Sequence, residues 1–201
     1  MVNIINIQSI MYVGFRLAPF ILISFFALSS LFNSDIKGII FLSLLLLNCF
    51  ITVSIGNSLP KPEAPNKNHI CDGLALSMDG PISNLPLNIN VFTFTLAYLA
   101  YIIGTYGEKD KDVINKNIPT LVIFSLLIIY QFIWSYQNQC NPPHYILISM
   151  IIGGGLGALF SYAVDKTGLV QLQYFNGLTN GEVCSRPTKA KYRCSTKPPN
   201  M

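Results

Sequence analysis

The chain has 201 residues, 51% of them hydrophobic and only 11% charged, with a formal net charge of +4 and a mean hydropathy of +0.48. Soluble domains carry about a quarter charged residues, so the composition excludes an ordinary water-soluble enzyme and gives no reason to expect a nucleic-acid partner. A single helical domain dissolved in a lipid bilayer is the remaining class.

A membrane-spanning helix needs about 20 mainly apolar residues. Five stretches meet that length, at 9–32, 36–56, 90–106, 118–136 and 145–164. The expected fold is therefore an all-α membrane helical bundle of about five transmembrane helices over residues 1–165, followed by a basic tail over 166–201. Residues 1–8, which alternate Asn and Ile without a clear period, are expected to be a short, weakly structured lead. No cleavable signal peptide is expected, since the first 15 residues lack a basic start and no small-residue cleavage site follows. Arg16 and Pro19 interrupt the first stretch, which leaves two readings: a full span, or an interfacial helix with a shortened span.

Asn33-Ser34-Asp35 predicts a tight turn, with Ser34 or Asp35 capping the second span. That span is rich in leucine and holds Asn48 and Cys49. An amide in hydrocarbon is costly unless it meets another helix, so Asn48 is expected to face the bundle interior, and Cys49 reads as core. The 57–89 loop carries Pro60, Pro62, Pro65, Pro81 and Pro86, which exclude a long regular element. The polar groups in it singled out as capable of chemistry are Lys61, Lys67, His69, Cys71, Asp72 and Asp79.

The third span is expected to begin at Asn88 or Asn90 and to end at Gly104 or Gly107, before a solvated connection from Glu108 to Lys116. Pro119 then stands at a first-turn position of the fourth span, which closes on Tyr130, Trp134 and Tyr136, the aromatics of a membrane boundary. A polar turn from Gln137 to His144 leads into the fifth span. There Gly153 and Gly157 stand four apart, and Gly154 and Ala158 repeat the spacing. Small residues at that interval let two backbones approach, either inside the bundle, the favoured reading, or between two copies. After Asp165, alternating Val170, Leu172 and Tyr174 with Asn-Gly pairs at 176–177 and 180–181 predict a small β-hairpin or meander over 168–197.

The charges are asymmetric. With five spans, Lys61 and Lys67 share one side, whereas Lys37, Lys109, Lys111, Lys116, Lys166, Arg186, Lys189, Lys191, Arg193 and Lys197 share the other, ten cations against two. Cationic loops resist translocation, so the N-terminus is expected outside and the C-terminus on the cytoplasmic side. The basic tail either enforces that topology or binds anionic lipid headgroups or an acidic protein partner. The five cysteines lack zinc-site spacing, and neither metal nor cofactor is expected. Cys71 and Cys140 fall on one side and suit a disulfide in an oxidising compartment. Cys184 and Cys194 could close the tail hairpin only where the tail itself is oxidised.

Pro86-Leu87-Asn88-Ile89-Asn90-Val91-Phe92 and the aromatic helix after it resemble the second signature of the type 2 phosphatidic acid phosphatases, and His144-Tyr145 before a glycine-rich span resembles their third. The resemblance covers residues 57–164. It implies that His144 is the phosphoryl-accepting nucleophile. It also implies an acid histidine where this chain has Ile89, an orienting aspartate where it has Ile148, and a serine-arginine pair where it has Gln137 and Asn138. Phosphoryl transfer needs concentrated positive charge and an acid for the leaving group, so the expectation is a degenerate fold without the full catalytic set. Such a fold would bind a lipid headgroup through Lys61, Lys67, Asn88, Asn138 and His144, or retain weak phosphatase activity. The richness in Asn, Ile and Lys, with the Cys-Ser-Arg-Pro-Thr-Lys tail, is also similar to membrane proteins of large double-stranded DNA viruses. Three classes follow: a structural or anchoring membrane protein, which is the leading expectation; a lipid-headgroup binder; and a channel. The last would need a continuous polar path, for which the spans offer little beyond Arg16, Asn48, Gln131 and hydroxyls.

Overall fold

A computed structural model describes residues 36–61, 83–107 and 111–167, together with 19–28 and the helical positions 14, 17 and 32. The described residues are helical apart from short connections. In chain order they form a short α1 (Pro19–Leu28), then α2 (Ile36–Ser58), α3 (Leu87–Gly107), α4 (Lys111–Gln137) and α5 (Pro143–Lys166). At 1.5 Å per residue, 21 residues reach about 32 Å, enough for a hydrocarbon core of about 30 Å. The four longer helices are each long and apolar enough to cross a membrane. The described helix within the first expected span, Pro19–Leu28, has the length of half a span. The expected tail hairpin over 168–197 lies outside the described residues, as do Lys67, His69 and Cys71.

Burial is inverted relative to a protein in water. Large side chains such as Leu46, Phe50, Ile123, Leu126, Ile151 and Leu159 are exposed, which suits lipid contact, while Asn48, Asn90, Thr95, Ser149 and Ser161 are completely buried. Polar groups turn inward because hydrocarbon offers them no partner. The helix that receives them is α3, buried around most of its circumference over its first half, from Ile89 to Thr95. It packs against α2, α4 and α5, most extensively against α5. On its α2 side Phe41, Phe94 and Tyr98 form an aromatic core, the Phe41 and Tyr98 rings meeting edge to face with centroids 5.2 Å apart. Ile89 and Phe92 meet Ile128 of α4 and Ile146 of α5 in a second apolar cluster.

The α3–α5 contact is close because α5 presents Ser149, Gly153, Gly157 and Ser161, four residues apart, as its buried stripe. A Cβ added at Gly157 would collide with the Phe94 carbonyl oxygen, and one at Gly153 would stand 2.5 Å from the Asn90 carbonyl oxygen. The expected internal packing face is therefore used, through Gly153 and Gly157. Added Cβ atoms at Gly154 and Gly155 meet nothing within 4 Å.

Two expectations need correction. Residues 111–117, read as part of a solvated connection, are the first two turns of α4, so Pro119 sits in the interior of that helix and not in its first turn. The ring deletes one backbone bond to the Asn115 carbonyl. Asn115 is exposed, as are Lys111 and Lys116, so a polar partner can reach that carbonyl at little cost. At its other boundary the 57–89 loop is shorter than expected, because α2 continues to Ser58 and α3 begins at Leu87. The Asn84 amide donates to the Gly56 and Leu59 carbonyls, both at 3.0 Å, and so caps the last turn of α2 from across the loop.

Candidate functional site at the turn end of the bundle

One end of the bundle carries the C-termini of α2 and α4 and the N-termini of α3 and α5. It is called here the turn end, after the α4–α5 connection. That connection has a definite local cause. Gln139 adopts φ 53°, the Cys140 N–H donates to the Ser135 carbonyl at 3.0 Å, and the Gln139 N–H donates to the Tyr136 carbonyl at 3.2 Å. This is a Schellman closure with glutamine at the left-handed position that glycine usually fills. Pro142 is extended and Pro143 occupies the first turn of α5, where its missing N–H costs nothing.

Side chains then tie the elements of this end together. Tyr145 Oη donates to the Pro60 carbonyl at 2.7 Å, and Ser149 Oγ donates to the Pro86 carbonyl at 2.8 Å. Both described ends of the 57–89 loop are therefore held against α5. Of the residues singled out in the sequence, Lys61, Asn88, Asn138 and His144 are all at this end. Lys61 follows Pro60 and His144 precedes Tyr145, and both side chains are exposed; the Tyr145 side chain spans the distance between the two segments. The His144 ring lies against the Tyr145 ring with centroids 4.6 Å apart. Asn88 is half-buried. Asn138 turns its amide back to the Trp134 carbonyl at 3.0 Å.

The positions aligned with the phosphatase signatures have a different chemistry. Ile89, where that family places its acid histidine, is buried in the apolar cluster with Ile128 and Ile146. Ile148, in place of the orienting aspartate, is half-buried one turn after His144 on α5. Among the described residues no three His, Cys, Asp or Glu side chains gather as metal ligands would. Cys140 is disulfide-bonded and Cys49 is a free thiol. The partner of Cys140, and both tail cysteines, Cys184 and Cys194, lie outside the described residues.

Below the turn end runs a polar chain that sequence reasoning only half anticipated. Asn48 is fully buried, as expected, and its amide donates to Asn90 Oδ1. Asn90 in turn donates to the Ser149 carbonyl at 3.1 Å, so Asn90 links α2, α3 and α5. It had looked only like the start of a span. A usable signal was present, because two amides within apolar helices can satisfy one another only if they face the same interior. Hydroxyls elsewhere return to their own helices, Thr52 to the Asn48 carbonyl, Thr95 to the Val91 carbonyl and Ser125 to the Leu121 carbonyl. Ser161 Oγ instead crosses to the Tyr98 carbonyl of α3 at 3.1 Å. At the opposite end Tyr106 Oη donates to Asp165 Oδ1 at 3.2 Å, closing α3 against α5 there as well.

No family model, curated protein or solved structure matches the chain.

Proposed function

We propose that this integral membrane protein is a non-enzymatic structural or anchoring component of its membrane, and that a viral inner membrane is a setting its composition suits. The supporting observation is how the buried polar groups are used. Asn48, Asn90, Ser149 and Ser161 bond helix to helix, which holds a bundle together, and His144 stands exposed beside Tyr145 with isoleucines at the positions of its would-be acid and orienting aspartate. A histidine nucleophile without an acid or a concentrated positive site has little means to stabilise phosphoryl transfer.

The purified protein presented with phosphatidic acid is expected to release no phosphate. Release that disappears in His144→Ala would overturn the structural reading in favour of a working phosphatase. One observation favours a second reading, a headgroup binder of the same degenerate fold. Lys61 and His144 are both exposed at the turn end, where Tyr145 Oη holds the Pro60 carbonyl. On that reading native mass spectra show phosphatidic acid retained over phosphatidylcholine, and the preference disappears in the Lys61→Ala/His144→Ala variant. Equal retention of the two lipids returns the assignment to the structural role.

We also infer the orientation. Among the described residues Lys37, Lys111, Lys116 and Lys166 are at the end opposite the turn end, where only Lys61 is found, and the tail adds further cations to the first group. Cationic segments stay on the cytoplasmic side, so the turn end faces outward. An epitope placed after Met201 should resist protease in intact cells and be cleaved after permeabilisation. Cleavage in intact cells would reverse the orientation.

A further inference from the structure

We propose that Cys140 is joined to Cys71, so that a disulfide ties the segment between α2 and α3 to the α4–α5 turn and the turn end faces an oxidising side of the membrane. The chain has five cysteines. Cys140 is oxidised and Cys49 is a free thiol, which leaves Cys71, Cys184 and Cys194 as partners. Topology separates these three.

Cys140 lies in the turn between α4 and α5. The same end holds Pro60, through Tyr145 Oη, and Pro86, through Ser149 Oγ. Cys71 lies in sequence between these two anchored points, and a linker of about ten residues spans up to about 33 Å, ample for it to reach the turn. The tail cysteines follow Lys166 at the far end of α5. That helix has 24 residues, about 36 Å of rise, so the tail starts a bilayer's thickness away from Cys140. Extended chain does not cross hydrocarbon, because its backbone donors and acceptors would be unsatisfied there. Cys184 and Cys194 are thereby excluded.

Forming the bond removes two electrons and two protons from the cysteine pair. A thiol–disulfide oxidoreductase of that compartment is the acceptor. One cysteine thiolate attacks the carrier disulfide, the second displaces the carrier from the mixed disulfide, and the carrier departs as a dithiol. Such carriers act on the secretory, periplasmic or equivalent side, the side to which the cation asymmetry independently assigns this end.

The full-length protein in its native membrane can be tested by blocking free thiols with N-ethylmaleimide, denaturing, and labelling with a polyethylene-glycol maleimide before and after reduction. Reduction should add at least two adducts in the wild type. Cys71→Ser and Cys140→Ser should each gain two fewer, and the Cys184→Ser/Cys194→Ser variant should still gain two. Because labelling follows denaturation, a variant that folds poorly remains informative. An unchanged gain in Cys71→Ser, or none in the tail double variant, would overturn the pairing. A charged, impermeant phosphine applied to intact cells should open the bond, and opening only after permeabilisation would overturn its assignment to the outer side.

Discussion

Gly157→Leu is expected to destabilise the bundle by about 3 kcal/mol or more, the upper part of the range for overpacking a close contact. What a side chain meets at this position is backbone: the Phe94 carbonyl oxygen, with its carbon and Cα each 3.1 Å from the added Cβ. A rotamer change cannot clear a main-chain carbonyl in the middle of α3, so α3 and α5 must separate. Separation would also break the Asn90 to Ser149 and Ser161 to Tyr98 bonds on either side of the contact. Gly157→Ala should show the same direction with a smaller loss. Gly154→Ala is the control: it faces open space, replaces a poor helix former, and should leave stability within about 0.5 kcal/mol or slightly raise it. Thermal unfolding in one detergent, read by loss of the monodisperse peak, measures all three. Equal stability of Gly157→Leu and Gly154→Ala would show that α5 does not pack on α3 through this stripe.

How much of this was legible in the sequence depended on whether the responsible force acts locally. The four longer spans follow from apolar length alone, and the inward placement of Asn48 follows from the cost of an amide in lipid. Apolarity reports only the hydrocarbon layer, however. It could not show that α4 begins at Lys111, because a charged helical turn and a charged loop have the same composition. The C-terminus of α2 and the N-terminus of α3 were misplaced by a few residues for a different reason. The group that caps α2 is Asn84, some 25 residues downstream of the Leu59 carbonyl it bonds, and no local window contains both. Gln139 hides in the same way, since a left-handed residue is ordinarily announced by glycine or asparagine. That Lys61, Asn88, Asn138 and His144 share the turn end was readable from the alternation of the spans. The inward turn of the Asn138 amide to Trp134 was not, because it depends on the backbone closure after α4, which the sequence did not announce.

The buried amide pair gives the second large effect. Asn90→Ala is expected to cost about 2 kcal/mol, combining a lost interhelical bond with unsatisfied polar groups. Asn90 accepts from Asn48 and donates to the Ser149 carbonyl, so its removal strips the Asn48 amide of its only side-chain acceptor among the described residues. Asn48 Oδ1 already has no partner among the described residues, which makes the remaining Nδ2 bond the one that justifies burying this side chain. Asn48→Ala should cost less, because Asn90 keeps its bond to the Ser149 carbonyl. The double variant should then fall short of the sum of the two by about 1 kcal/mol, since the second truncation removes a group already left unsatisfied by the first. A double-mutant cycle in bicelles, with unfolding free energies taken under one lipid composition, gives the coupling directly. Additivity within about 0.4 kcal/mol would mean that the two amides do not depend on one another, and that α2 is held to α3 by the contacts of Phe41, Phe94 and Tyr98 without help from the polar chain.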